Sequence, residues 1–283
     1  MKKEIVFDIG GTQSRIALFD NGKLVWRDHL TTPSQAGPEA MLDSMAQLFI
    51  PVASHDALVG VAITGHIKDG CVTAHNQAIL SDWQSYPLQQ RLAEKLMRPV
   101  SVFNDARAAA WGEFRFGNGQ ECDDFLFLTV STGVGAGLIL NRRLHIAKNG
   151  FDAEIGEMLT ADGKTLENHA SGTALNQLAL QHGYDDARSL CDAADQGDPQ
   201  ANALYQHGIN EIAKKLADLA VMVGIQRVAV GGSVGLRSGY LDRLRLAMSQ
   251  YPAIYQIEFV AAQLGHDAGL VGAADLLSTS ASA

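Results

Sequence analysis

The sequence predicts a mixed α/β protein built from two duplicated lobes. A strand, glycine turn, strand unit opens each half, βα units follow each one, and an acidic, glycine-rich stretch separates them. The first unit is "IVFDIGGTQSRIALFDNGKLVW" and the second is "LFLTVSTGVGAGLILNRRLHI"; they agree in pattern more than in identity. With 283 residues the chain can bury two cores without disulfide staples.

Two-residue alternation predicts strands over 3–8, 14–20 and 23–30, the last two joined at Asp20-Asn21-Gly22, a strong hairpin signal. A helix over 38–49 starts on Pro38; strands over 58–64 and 70–74, a helix over 87–97 and a strand over 100–103 follow. A further helix runs from Asp105 through "ARAAAWGEF" until "RFGNGQECDD" breaks the pattern. The boundaries expected from this are a first lobe over 1–117, completed by the C-terminal helix near 268–278, and a larger second lobe over 118–267. In the second half a strand over 125–130 leads into the glycine unit, and 166–223 reads as largely helical, with Asp198 placed to cap and Pro199 at a first helical position. "QRVAVGGSVG" is a short buried strand ending in a glycine turn, followed by a helix over about 238–250. A strand, a turn and a helix capped by Asp267 close the chain, and "STSASA" reads as a disordered tail.

The formal charge of -9 argues against a surface made for nucleic-acid phosphates or anionic membranes, which leaves small metabolites as partners. Cys71, Cys122 and Cys191 form neither a disulfide framework nor a CxxC zinc motif, in keeping with a reducing cytoplasm. Met-Lys-Lys-Glu leads directly into a strand, with no secretory h-region. "FLFLTVSTGVGAGLIL" is too short and too rich in Ser, Thr and Gly to span a bilayer. The expectation is a soluble cytoplasmic protein.

Gly10 and Gly11 admit a bulky ligand to main-chain amides. The Gly-Lys-Ser/Thr ending of a Walker loop and the third glycine of a dinucleotide loop are both missing, and the turn joins two strands rather than a strand and a helix. Asp8 at the strand end suits a Mg²⁺ ion, directly or through water, and equally suits capping of the turn amides. Ser131-Thr132-Gly133 opens a second turn with hydroxyls and exposed amides for phosphate oxygens, or a flexible turn. Facing one another across a cleft, the two turns would grip a nucleoside triphosphate from both sides.

Asn104 and Asp105 stand between a strand and a helix, where both are favoured N-caps and where a carboxylate can also accept the proton of an attacking hydroxyl. Glu154, Glu157 and Glu167 flank one loop, as solvated surface or as a grip on vicinal sugar hydroxyls. Gly231-Gly232-Ser233-Val234-Gly235 gives a base and ribose room to pass close to backbone. Thr64, Gly65, His66 and Asn76 are candidates for an acyl pocket, and ordinary turn residues fit those positions too.

Taken in order, "DIGGT", "NDARAAAWGE", "STGVGAG", "EIGE", "LENHASG", "GGSVG" and "DAGLVGAA" resemble the ROK family of sugar kinases and sugar-responsive repressors across nearly the whole chain. The resemblance implies the actin-like, hexokinase-like ATPase fold, a ribonuclease H-like duplication with its active site between two lobes. It implies Asp105 as catalytic base, Asn104, Glu154 and Glu167 as sugar contacts, and ATP phosphates at Gly10, Gly11, Thr12, Thr132 and Gly133, with adenosine near Gly232. It also implies Mg²⁺ as cofactor and a homodimer. Repressor members carry a helix-turn-helix ahead of this core, for which residues 1–7 leave no room.

Within the family, "VSTGVGAG", "NDARAAAWGEF" and "GGSVGLRSGYL" are most similar to the members that phosphorylate N-acetylmannosamine on its 6-hydroxyl, a step of sialic acid breakdown. Kinases for glucose, fructose, allose or N-acetylglucosamine, and a non-catalytic sugar-binding regulator, are the alternatives. The chain departs from the family at one place: Glu157 stands where many members have a zinc-binding His, and "MLTADGKT" carries none of their cysteines. Glutamates alone make a poor tetrahedral zinc site, so no zinc is expected. Glu157 then either accepts a sugar hydroxyl or points to solvent.

Overall fold

The computed structural model describes residues 3–54, 56–74, 80–151 and 153–280. The chain opens with β1 (Lys3–Ile9), β2 (Gln13–Asp20), β3 (Lys23–Thr31), α1 (Gly37–Phe49) and β4 (Leu58–Ile63). A short hairpin, β5 (His66–Lys68) and β6 (Cys71–Thr73), precedes α2 (Leu88–Leu96), β7 (Val100–Asn104) and α3 (Asp105–Phe116). The second half runs β8 (Phe125–Val130), β9 (Val134–Leu140), β10 (Arg143–Leu144), α4 (Glu167–Ala170), α5 (Gly172–Gln181), α6 (Ala187–Asp195) and α7 (Pro199–Val223). It ends with β11 (Arg227–Gly231), α8 (Tyr240–Ser249), β12 (Glu258–Ala261) and α9 (Ala268–Ser280). Two compact units result: Met1–Arg115 with Ile146–Asp152 and Asp267–Ala283, and Phe116–His145 with Ala153–His266.

The first unit holds a five-stranded sheet in the order β3-β2-β1-β4-β7, and the second holds one in the order β10-β9-β8-β11-β12. In both, the first three strands are antiparallel neighbours and the last two join in parallel. The same connectivity twice is the duplication the two glycine units announce.

In the first unit β1 is covered on both faces, which accounts for its nearly unbroken apolar run. Ile5, Phe7 and Ile9 pack with Met41, Leu42 and Met45 of α1 and Leu88 and Leu92 of α2. Val6 points the other way, onto Ala108 of α3 and Leu270, Ala273 and Leu277 of α9. Helices α3 and α9 meet through glycines: a Cβ on Gly272 would stand 1.7 Å from the Ala108 carbonyl oxygen, and one on Gly112 2.5 Å from that of Ala268.

In the second unit Leu126, Leu128, Val130, Val228 and Val230 join Tyr205, Ile209, Ile212 and Leu216 of α7 in one core. Asp198 caps α7 by accepting from the Ala201 N–H, with Pro199 in the first turn, as the sequence predicts. The expected helical stretch 166–223 divides into four helices. Ser171 caps α5, Asp186 and Ser189 form a capping box on α6, and Gly183 and Gly197 take positive φ between them. Likewise α8 starts at Tyr240 rather than 238, because Gly239 before it is left-handed at φ +81°. Among the described residues no helix is long and apolar enough to cross a membrane.

Candidate active site

In the first unit the glycine turn lies between β1 and β2 and is fixed by the end of β3. Gly10 N–H donates to the Gln13 carbonyl (3.1 Å), Thr32 N–H donates to the Thr12 carbonyl (3.0 Å), and the Thr32 hydroxyl donates to the Gly10 carbonyl (2.8 Å). These bonds use carbonyls of the turn, and Thr12 itself is exposed. At the foot of the turn Asp8 is buried, and cross-strand register sets Arg15 opposite it. The Arg15 guanidinium donates to Asp8 Oδ2 and reaches Asp267 Oδ1 at 3.5 Å, while Arg27 holds Asp267 Oδ2 at 3.3 Å. Burial pushes the Asp8 carboxyl up from its ordinary value, and the nearby Arg15 charge offsets part of that.

At the end of β7 the two cap-forming residues divide the work. Asn104 Oδ1 accepts the Arg107 N–H at 2.9 Å, which makes Asn104 the side chain that caps α3. Its Nδ2 donates to the Gly65 carbonyl at 3.1 Å and so ties the β5–β6 hairpin to the same corner. Asp105 follows at the strand-to-helix junction, its Oδ1 accepting from Ala106 N–H at 2.8 Å. His66, next to Gly65, is half-buried. Asn76 lies outside the described residues.

In the second unit the hairpin at Thr132 and Gly133 is held by three neighbours. Gly172 N–H donates to the Ser131 carbonyl (2.7 Å), the Thr173 hydroxyl donates to the Thr132 carbonyl (2.8 Å), and Glu167 Oε2 accepts the Val134 N–H (2.9 Å). Glu167 thus links the acidic loop to the glycine hairpin directly. Glu154 and Glu157 bracket Gly156, where a Cβ would stand 2.2 Å from the Val134 carbonyl oxygen; only glycine lets this segment lie against the hairpin. Glu157 is exposed and Glu154 half-buried. Gly232, at φ +84°, closes on the same region, since a Cβ there would stand 2.3 Å from the Val130 carbonyl oxygen.

Mg²⁺ binds through one or two carboxylates together with phosphate and water oxygens. Asp8 offers one carboxylate, shared with Arg15, and among the described residues no group of three or more His, Cys, Asp or Glu side chains is placed to hold a metal. This donor set fits an ion that arrives on nucleotide phosphates, not one caged by protein alone.

The sequence profile of the ROK family matches residues 5–280. The chain belongs to the ROK family. Relatives of this ROK chain include the N-acetylmannosamine kinase of Escherichia coli, 36% identical, with 95% of this chain and 96% of that protein covered. The N-acetylmannosamine kinase of Haemophilus influenzae is 33% identical over 95% of this chain and 93% of its own length. The bifunctional enzyme NanE/NanK of Brucella melitensis is 36% identical over 97% of this chain, which spans only 54% of that protein. Among solved structures, a ROK family glucokinase from Streptomyces griseus, in complex with glucose and AMPPNP, superposes with a TM-score of 0.84 at 30% identity, covering 98% of this chain and 99% of that one.

In this ROK chain the phosphate-turn, cap and carboxylate candidates fall into two local groups, one per unit. Asp8, Gly10, Gly11, Thr12, Gly65, His66, Asn104 and Asp105 lie in the first; Thr132, Gly133, Glu154, Glu157, Glu167 and Gly232 lie in the second. Sequence reasoning missed Arg15, Thr32 and Thr173, which hold these groups in place, and read Asp267 only as a helix cap, whereas it accepts from Arg15 and Arg27. Arg15 carries the one readable signal: it and Asp8 flank the turn at equal distance from its centre, so an antiparallel hairpin must set them opposite.

Proposed function

We propose that this chain is an ATP- and Mg²⁺-dependent kinase that phosphorylates N-acetylmannosamine on its 6-hydroxyl, giving N-acetylmannosamine 6-phosphate and ADP. The observation that carries the reading is the near full-length similarity to N-acetylmannosamine kinases of E. coli and H. influenzae. The division of labour at the end of β7 supports it chemically: with Asn104 capping α3, Asp105 serves as base. Asp105 accepts the proton of the sugar hydroxyl as its oxygen bonds to the γ-phosphorus and the bond from that phosphorus to the β,γ-bridging oxygen breaks, the electron pair leaving with ADP. Backbone amides at Gly10, Gly11 and Gly133 and the hydroxyls of Thr12 and Thr132 bind phosphate oxygens, and Gly232 makes room for the nucleoside. Asn104, Glu154 and Glu167 hold sugar hydroxyls, with Gly65, His66 and the exposed Glu157 beside them. Mg²⁺, held by Asp8, supplies neutralising charge to the phosphates when bound.

A cytoplasmic homodimer completes the proposal. The three cysteines are free thiols, which supports a reducing compartment; the dimer is carried over from the family resemblance. A glucose kinase is the second reading, favoured by the similarity to the S. griseus glucokinase. ADP release with Mg-ATP across N-acetylmannosamine, N-acetylglucosamine, glucose, mannose, fructose and allose decides between them. Turnover selective for N-acetylmannosamine and absent in Asp105→Asn is the expected result; preference for glucose replaces the substrate, and full activity of the variant removes Asp105 as base.

A further inference from the structure

One aromatic side chain stands out beside the hydroxyl-binding candidates of the first unit. Phe151 is 47% exposed, yet its ring lies flat on the His66 imidazole, with centroids 4.1 Å apart and planes inclined by 22°. Two features fix that stack. His66 Nε2 lies 2.8 Å from the Asn149 carbonyl oxygen. A carbonyl only accepts, so this nitrogen carries a hydrogen and the imidazole plane is set by the bond. Gly150, between Asn149 and Phe151, takes φ +85°, and a Cβ there would stand 2.5 Å from His66 Nε2 and 2.7 Å from the Ile67 carbonyl oxygen. Only glycine lets the strand of chain at 149–151 lie that close to β5.

The stack is continuous with the site. His66 follows Gly65, whose carbonyl accepts from Asn104, and Asn104 precedes Asp105. A hydroxyl-binding site built from amides and carboxylates has no means of favouring an acetyl methyl group over water. Small-molecule sites gain that discrimination from aromatic walls beside a few convergent polar groups, because an aromatic face offers large, rigid apolar area. We propose that Phe151, held in place by His66, is the specificity-determining residue of the sugar site: its ring seats the acetyl methyl of an N-acylated hexosamine and so sets the preference over the parent hexose. This rests on the kinase reading above.

The test compares wild type, Phe151→Ala and Phe151→Leu on N-acetylmannosamine and on mannose, by ADP release and by isothermal titration of each sugar without nucleotide. One buried methyl-sized group in an apolar pocket is worth about tenfold or more in discrimination. In Phe151→Ala the affinity and kcat/KM for N-acetylmannosamine fall by about that factor through KM, those for mannose stay within about twofold, and KM for ATP is unchanged. Phe151→Leu, still apolar, recovers part of the loss. Equal losses on both sugars, or none on either, overturn the proposal. Titration decides it even if wild type shows no turnover on any hexose, an outcome that removes the kinase reading separately.

Discussion

Asp8 and Arg15 face each other across the β1–β2 hairpin, and the Arg15 guanidinium donates to Asp8 Oδ2 at the foot of the glycine turn. A buried carboxylate is thereby kept from standing alone. Removing one partner of such a pair costs about 3–5 kcal/mol when both are fully buried. Arg15 retains 24% side-chain exposure, so Arg15→Ala is expected to lose about 2 kcal/mol of stability, with KM for Mg-ATP raised about tenfold. Denaturant titration and nucleotide saturation curves check the two effects, and an unchanged midpoint would remove the structural role.

Asp8→Asn is expected to behave in the opposite way on stability. Burial raises the folded-state pKa of Asp8 above its unfolded value, so between the two values the folded protein binds more protons than the unfolded chain. Stability contributed by this group is therefore present at low pH and lost as pH rises through the folded pKa. At pH 7 the asparagine variant removes that cost and melts above wild type, while Arg15 keeps Asp267 as a partner. Turnover falls at the same time because the carboxylate is gone. A lower melting temperature for the variant at pH 7 contradicts this balance.

At the corner after β7 the α3 cap and the proposed base are different side chains. Asp105→Asn leaves the Asn104 cap intact, so its melting temperature stays near wild type while kcat falls by about 10²–10⁴, the usual contribution of a positioned base. Asn104→Ala loses the cap and the tie to Gly65 together, and costs about 1 kcal/mol from the cap alone. Comparable unfolding of both variants would mean that the roles are not divided.

That division was not legible in the sequence, because Asn and Asp are both good caps and only the observed bond to Arg107 N–H tells which one serves. The sheets were legible: β1, β2, β4, β8 and β11 are apolar enough to be read as strands, and the glycine turns declare themselves by composition. The three-residue strand β5 was not, being too short to alternate. Nothing local told that Ile146–Asp152 packs with the first unit either, since the docking depends on Gly150 and on the Asn149 carbonyl, which meets His66 from 83 residues away. Contacts of that range leave no period in the chain.

The α3–α9 crossing depends on two bare backbones. Gly272→Ala forces a methyl to within 1.7 Å of the Ala108 carbonyl oxygen, and backbone cannot swing aside as a flexible side chain can. A loss of about 3 kcal/mol is expected, at the upper end of overpacking costs. Gly163→Ala is a control, since its Cβ would meet nothing within 4 Å and only the strain of φ +80° remains. Chemical denaturation of the two variants should separate them clearly, and equal midpoints would show that α9 shifts to accommodate the methyl.

The loop between Glu157 and Glu167 is knotted on one carboxylate. Asp162 Oδ1 accepts from the Thr160 hydroxyl (2.6 Å), the Lys164 N–H (3.2 Å) and His169 Nε2 (3.1 Å), and His169 Nδ1 lies 3.3 Å from His207 Nε2 on α7. These donors, the Thr160 hydroxyl foremost, hold the Asp162 carboxyl well below the usual carboxylate range. A depressed folded pKa gives stability that is fully present above the unfolded value of about 3.9 and drains away as pH falls below it. Asp162→Ala should therefore flatten the fall of melting temperature between about pH 5 and pH 3, and the variant should lie below wild type at pH 7. Because the loop carries candidate sugar carboxylates at both ends, the same variant raises KM for the sugar at neutral pH. A variant whose acid limb matches wild type would show that the knot forms without holding the loop, and an unchanged sugar KM would separate the loop from the site.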